Sequence, residues 1–68
     1  MWRVKDMSYN LAQEAKKAID AGAELQNYYR RMKQETTDPK VRAILHDLLL
    51  MEEMNEVLLR SLNNNLTV

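Results

Sequence analysis

Asp38-Pro39-Lys40-Val41-Arg42-Ala43-Ile44-Leu45-His46-Asp47-Leu48-Leu49-Leu50-Met51-Glu52-Glu53-Met54-Asn55-Glu56-Val57-Leu58-Leu59-Arg60-Ser61-Leu62 is the stretch whose reading decides the fold. Taken in alternating steps of four and three it yields Val41, Leu45, Leu48, Glu52, Asn55, Leu59, Leu62 and Leu66, a single helical stripe that is apolar at both ends and polar in the middle. Its start is marked twice. Asp38 can accept hydrogen bonds from the free amides of a first turn, and Pro39 suits the first helical position, where a missing N–H costs nothing.

Working back from that start, Thr36-Thr37-Asp38 reads as a turn, and the chain before it is a second amphipathic segment. From about Ser8 the same stepping runs through Leu11, Ala15, Ala18, Gly22, Leu25, Tyr29 and Met32. The opposite face is Gln13, Lys16, Lys17, Asp20, Glu24, Asn27, Arg31 and Gln34. Ala, Glu, Lys and Gln dominate and no period-two alternation appears, so a strand is not expected. Arg30, Arg31 and Lys33 suit the negative end of this helix's dipole. The expected arrangement is a helix over about residues 8–35, a turn at 36–38 and a helix over about 39–63. Asn63-Asn64-Asn65 reads as a frayed end, because asparagine tolerates the left-handed cap. Met1 to Met7, with Trp2, Val4 and Met7, is a lead-in that either joins the first helix or packs across a neighbour.

The 68 residues form one domain, residues 1–68, of all-α class. A short linker forces the two helices antiparallel, and two helices cannot take both stripes out of water. The simplest closed solution is an antiparallel helical hairpin that dimerises into a four-helix bundle, with a homodimer as the smallest assembly and higher homo-oligomers open. The absence of cysteine excludes disulfides and thiolate metal sites, so association is the expected source of the missing core. Ten basic and ten acidic residues give no net pull toward nucleic acid or an acidic membrane. No leader and no apolar run near the length of a membrane span is evident, so a cytoplasmic protein is expected. One histidine, no cysteine and one glycine leave no catalytic triad and no phosphate loop. Tyr28-Tyr29-Arg30-Arg31 is read as part of the helix and not as a nucleic-acid patch, His46 as a surface residue, and the five methionines as packing residues.

Two features remain. Leu50, Met54 and Val57 recur at helical spacing on the side of the second helix turned away from its stripe, which marks either a second interface, with another dimer or another protein, or scattered surface apolar residues covered by Trp2 or Met7. The polar middle is the other. In a hairpin turning near Thr37, Gly22 comes level with Glu52, so Gly22, Glu52 and Asn55 interrupt both stripes in one layer. A helical glycine costs about 1 kcal/mol relative to alanine, so Gly22 implies close approach of another group or a lost side chain.

Ala18-Ile19, Tyr28-Tyr29, Asp38-Pro39 with Val41-Arg42, and Met51-Glu52-Glu53-Met54-Asn55 with Leu58-Leu59 resemble the half-bundle of the ferritin-like superfamily over roughly residues 11 to 62. The likeness is to rubrerythrin-type and encapsulated-ferritin-like chains, with a looser one to spore coat F-type proteins. The resemblance implies a di-iron site built from a first-helix glutamate and a Glu-x-x-His on the second helix. Here Glu52 matches the second-helix glutamate, Asn55 stands where the histidine belongs, and Gly22 stands where the first glutamate belongs. Asp20 and Glu24 lie on the opposite face, and Glu56 lies on the flank. The resulting expectation is a non-catalytic oligomerisation or protein-interaction module with a vestigial metal site and no cofactor. The alternative is a ferritin-like oxidase or storage protein that binds iron or manganese at a site rebuilt around Glu52, with Glu56. In the first case Glu52 is a hydrogen-bonded carboxylate partnered by Asn55 or Tyr29. Two such groups meeting across a dimer would compete for one proton and set helix register.

Overall fold

The computed structural model describes residues 4–66, with side chains from residue 10 onward, as two helices, α1 (Val4–Glu35) and α2 (Pro39–Leu66). They are joined by residues 36–38 and lie antiparallel in a rod of 56 × 16 × 14 Å. The turn is built as its residues dictate. Thr36 N–H donates to the Met32 carbonyl at 3.0 Å, extending the end of α1 by one bond, and Asp38 N–H donates to Thr36 Oγ1 at 3.2 Å. Asp38 Oδ1 then accepts from Lys40 N–H at 2.9 Å while its carbonyl accepts from Arg42 N–H at 3.0 Å, so one residue begins α2 with both side chain and backbone. Pro39 follows as the first helical residue. The Arg42 guanidinium reaches back to the Thr36 carbonyl at 2.9 Å and ties the two helix ends together.

Both helices are longer than the residue pattern indicates. α1 starts at Val4 and not near Ser8, so residues 4–7 of the lead-in are helical; Trp2, and the side chains of Val4 and Met7, lie outside the described part. α2 continues through Asn63-Asn64-Asn65 to Leu66. Asn63 and Leu66 are half-buried, so the inward face of α2 persists there and offsets the weak helix preference of asparagine.

The seam between the helices differs from the expected stripes in a systematic way. On α1 the buried residues are Ala12, Ala15, Ile19 and Gln26, with Gly22 and Tyr29 half-buried, whereas Leu11, Ala18, Leu25 and Met32 are exposed. On α2 Leu45 is buried, Leu48, Leu49, Glu52, Glu56 and Leu59 are half-buried, and Val41, Asn55 and Leu62 are exposed. The apolar arc of each helix is wider than one neighbouring helix can cover. The partner in the hairpin takes one edge of the arc, and the other edge stays open to solvent. Small side chains at Ala12 and Ala15 suit close approach of α2 at that end. All eight residues expected on the solvated face of α1, from Gln13 to Gln34, are exposed. No described helix is long and apolar enough to cross a membrane.

The Asp38 cap carries the turn, so Asp38→Ala should lower unfolding free energy by about 1 kcal/mol, the usual worth of an N-cap, in urea titrations at fixed chain concentration. An Asp38→Asn variant, which keeps an acceptor oxygen, should retain most of it.

Candidate functional site

Between the two helices lies a groove of about 320 Å³, open to solvent. Ala18, Ile19 and Gly22 form its α1 wall, and Glu52, Asn55, Leu58, Leu59 and Leu62 much of its α2 wall. Gly22 does stand opposite Glu52: a Cβ built on Gly22 would lie 3.6 Å from Glu52 Oε1, an ordinary contact. The hairpin therefore contains no steric reason for glycine at this position. Glu52 is half-buried, and its Oε2 accepts from Asn55 Nδ2 at 3.2 Å, one helical turn away. With Glu56, this pair supplies the polar lining of a groove that is otherwise apolar.

Glu56 has a different place from the flank expected for it. It lies at the seam and is held from both helices: Oε1 accepts from Gln26 Nε2 at 2.9 Å, and Oε2 accepts from Arg60 Nε at 3.0 Å. Gln26, only 5% exposed, in turn accepts from Arg30 Nη2 at 3.2 Å through its own Oε1. Arg30 Nη1 also donates to Asn27 Oδ1 at 3.3 Å. The run Arg30, Gln26, Glu56, Arg60 is thus a continuous polar chain across the hairpin, and no buried side-chain nitrogen or oxygen among the described residues lacks a partner. The Gln26 hydrogen bond, then the Arg60 hydrogen bond, hold the Glu56 carboxyl below its ordinary range, against a smaller opposing effect of burial.

Gln26 escaped the reading of the sequence because an amide on the edge of an apolar stripe resembles any surface glutamine. The available signal was its spacing: Gln26 with Arg30, and Glu56 with Arg60, are i, i+4 pairs on facing helices. Ile19, the largest buried side chain among the described residues of α1, likewise lies outside the expected stripe.

Among the described residues no three histidines, aspartates or glutamates come together in a way that could hold a metal ion within one chain. Glu52 and Glu56 share the groove, but protein donors bond one oxygen of Glu52 and both oxygens of Glu56. His46 is exposed at the turn end, 3.3 Å from Lys33 Nζ through Nδ1, and is remote in the fold from the groove. Leu50 and Met54, with Met51 and Asn55, line a shallow outer hollow of about 310 Å³, and Val57 on the same outward side is 66% exposed. No family model, no curated protein and no solved structure matches this chain.

Glu56 makes stability depend on pH. Its folded-state value lies below 4.5, so the carboxylate stabilises the fold above that value, and the contribution is lost as pH falls through the lower folded value. Urea midpoints measured from about pH 6 to about pH 3 should therefore fall more steeply in the wild type than in Glu56→Gln, which keeps the shape but cannot ionise.

Proposed function

We propose that this chain is a non-catalytic self-association module: a helical hairpin that pairs with a second copy through its open broad side into a four-helix bundle of the ferritin-like half-bundle kind. In this reading Gly22, Glu52 and Asn55 are the remnant of a metal site, retained as a structural polar layer.

The observation that carries the reading is the uncovered apolar surface. Ile44, Met51 and Leu58, spaced seven apart on α2, are 61, 63 and 60% exposed, and Leu62 beside them is half exposed. Leu11, Ala18, Leu25 and Met32, also spaced seven apart, form the matching exposed row on α1. The groove between the helices, with Ala18 on one wall and Leu58 and Leu62 on the other, joins the two rows into one side of the hairpin. A seven-residue repeat is what packing against further helices requires. The area agrees. The hairpin exposes 5746 Å², about 1,300 Å² more than folded monomers of its 8.0 kDa mass expose on average. Covering that excess on both copies buries about 2,600 Å², within the range of obligate homodimers.

The polar layer fits the same reading. Gly22 has room for a methyl group within its own chain, so its use is better explained by what approaches from outside or by a lost ligand. The carboxylates of the groove already have protein donors, as expected of a layer that specifies register and not of a site kept open for an ion.

Two sets of variants test the proposal. Leu58→Glu, in the open row, should reduce the mass measured by light scattering to that of one chain and lower helicity with it, whereas Met54→Glu, on the outward side, should leave a dimer intact and remove only larger assemblies. A Leu58→Glu protein of undiminished mass would refute the interface. Restoring the missing ligands with Gly22→Glu and Asn55→His together should create ferrous-iron or manganese binding, read as a metal-dependent rise in melting temperature that the wild type lacks. No rise in the double variant would refute the vestigial site while leaving the interface standing.

A further inference from the structure

The opposite broad side of the hairpin is polar, and near the turn it holds a hollow of about 260 Å³ lined by Arg30, Lys33, Gln34 and Arg42. Three of these four side chains are cations and none is an acid. Among the described residues the ion pairs are Lys17 with Glu14 and Arg60 with Glu56, so Arg30, Lys33 and Arg42 have no carboxylate within ion-pair distance. None of their hydrogen bonds goes to a carboxylate: Arg30 bonds Asn27 and Gln26, Arg42 the Thr36 carbonyl, and Lys33 a ring nitrogen of His46.

The backbone does not balance this charge. The negative end of the α1 dipole could offset about half a charge, but the positive end of α2 begins beside it across the three-residue turn, and the two nearly cancel. The chain as a whole is neutral, with ten acidic residues for ten basic ones, so this cluster of cations is a local arrangement and not a consequence of composition; Arg30 also acts on the Glu56 carboxylate beyond Gln26, while Lys33 and Arg42 have no such partner among the described ion pairs. Two guanidinium groups and an ammonium around one hollow provide forked and point donors together, chemistry that suits tetrahedral oxyanions, with N–H groups left over beyond those bonded to Asn27, Gln26 and the Thr36 carbonyl. Gln34 adds an amide donor at the rim.

We propose that this hollow is a binding site for a phosphate-type dianion, either free phosphate or a phosphate monoester. It lies on the side away from the apolar rows, so a dimer formed through those rows leaves it accessible, and it does not depend on that dimer. Because the side chains are largely exposed and screened by salt, the affinity is expected in the millimolar range.

The test is an NMR titration of the full chain with inorganic phosphate at constant ionic strength, with acetate as the control anion and O-phosphoserine in parallel. Saturable shifts confined to residues 30–34 and 40–46, absent with acetate, support the site. Tighter binding of phosphoserine than of phosphate would assign a phosphate monoester, and equal binding the free anion. Lys33→Gln and Arg42→Gln should each weaken binding about tenfold, the usual worth of a charge-assisted hydrogen bond. Lys33→Gln leaves the Arg42 tie across the turn in place, so its loss of binding cannot come from a broken turn. Shifts equal to those with acetate, shifts spread along the whole chain, or binding unaffected by Lys33→Gln would overturn the proposal.

Discussion

Two antiparallel helices can cover only part of each other's apolar arcs, and that limit governs the rest of this structure. The described seam between α1 and α2 buries four apolar side chains, two of them alanine, and no described side chain is fully removed from solvent. An ordered chain of this length needs more burial than that to offset its lost conformational entropy. Of the remaining apolar surface, Leu11, Leu25 and Met32 of α1 and Ile44, Met51, Leu58 and Leu62 of α2 lie along one broad side, and Leu50, Met54 and Val57 are exposed on the outward side of α2. The proposed pairing with a second copy of the same side would cover the broad side in a way that satisfies symmetry.

Within the hairpin, apolar packing sets how close the helices come, and polar contacts set their register. The bond from Gln26 to Glu56 links the two helices across 30 residues of sequence, and sliding one helix by a turn would break it, whereas the contacts of Arg30 with Gln26 and of Arg60 with Glu56 at its ends each stay within one helix. A fully satisfied network of this kind penalises wrong registers more than it stabilises the right one. The turn works in the same direction: Thr36, Asp38 and Arg42 use local bonds to end one helix and begin the next within three residues.

How much of this can be read from the residues alone depends on the type of signal. Asp38-Pro39 is a local signal with a local cause, and both the cap and the first helical proline stand where the rules place them. The solvated face of α1 and the level pairing of Gly22 with Glu52 were also legible, because helix period and a short turn fix them. The seam itself was not. A four-three stripe identifies an arc but not which edge of it meets the hairpin partner, so Leu11, Ala18, Leu25 and Met32 could not be told apart from Ala12, Ile19 and Gln26 before the helices were placed. Gln26 was hidden for a further reason: a buried amide is recognisable only once its partners, here Glu56 and Arg30, are known. The end of α2 was underestimated because helix propensity falls at Asn63-Asn64-Asn65, while the inward positions Asn63 and Leu66 remain half-buried.

The most direct check on whether the open side is covered by a second copy is the thermal unfolding midpoint as a function of chain concentration, followed by circular dichroism over a wide dilution range. If folding and pairing are coupled, dilution lowers the midpoint and the helical signal is lost in one transition, because each folded unit requires two chains. A midpoint and a helicity that are both unchanged on dilution, with a sedimenting mass of one 8.0 kDa chain, would contradict it and leave the apolar side without a self-partner.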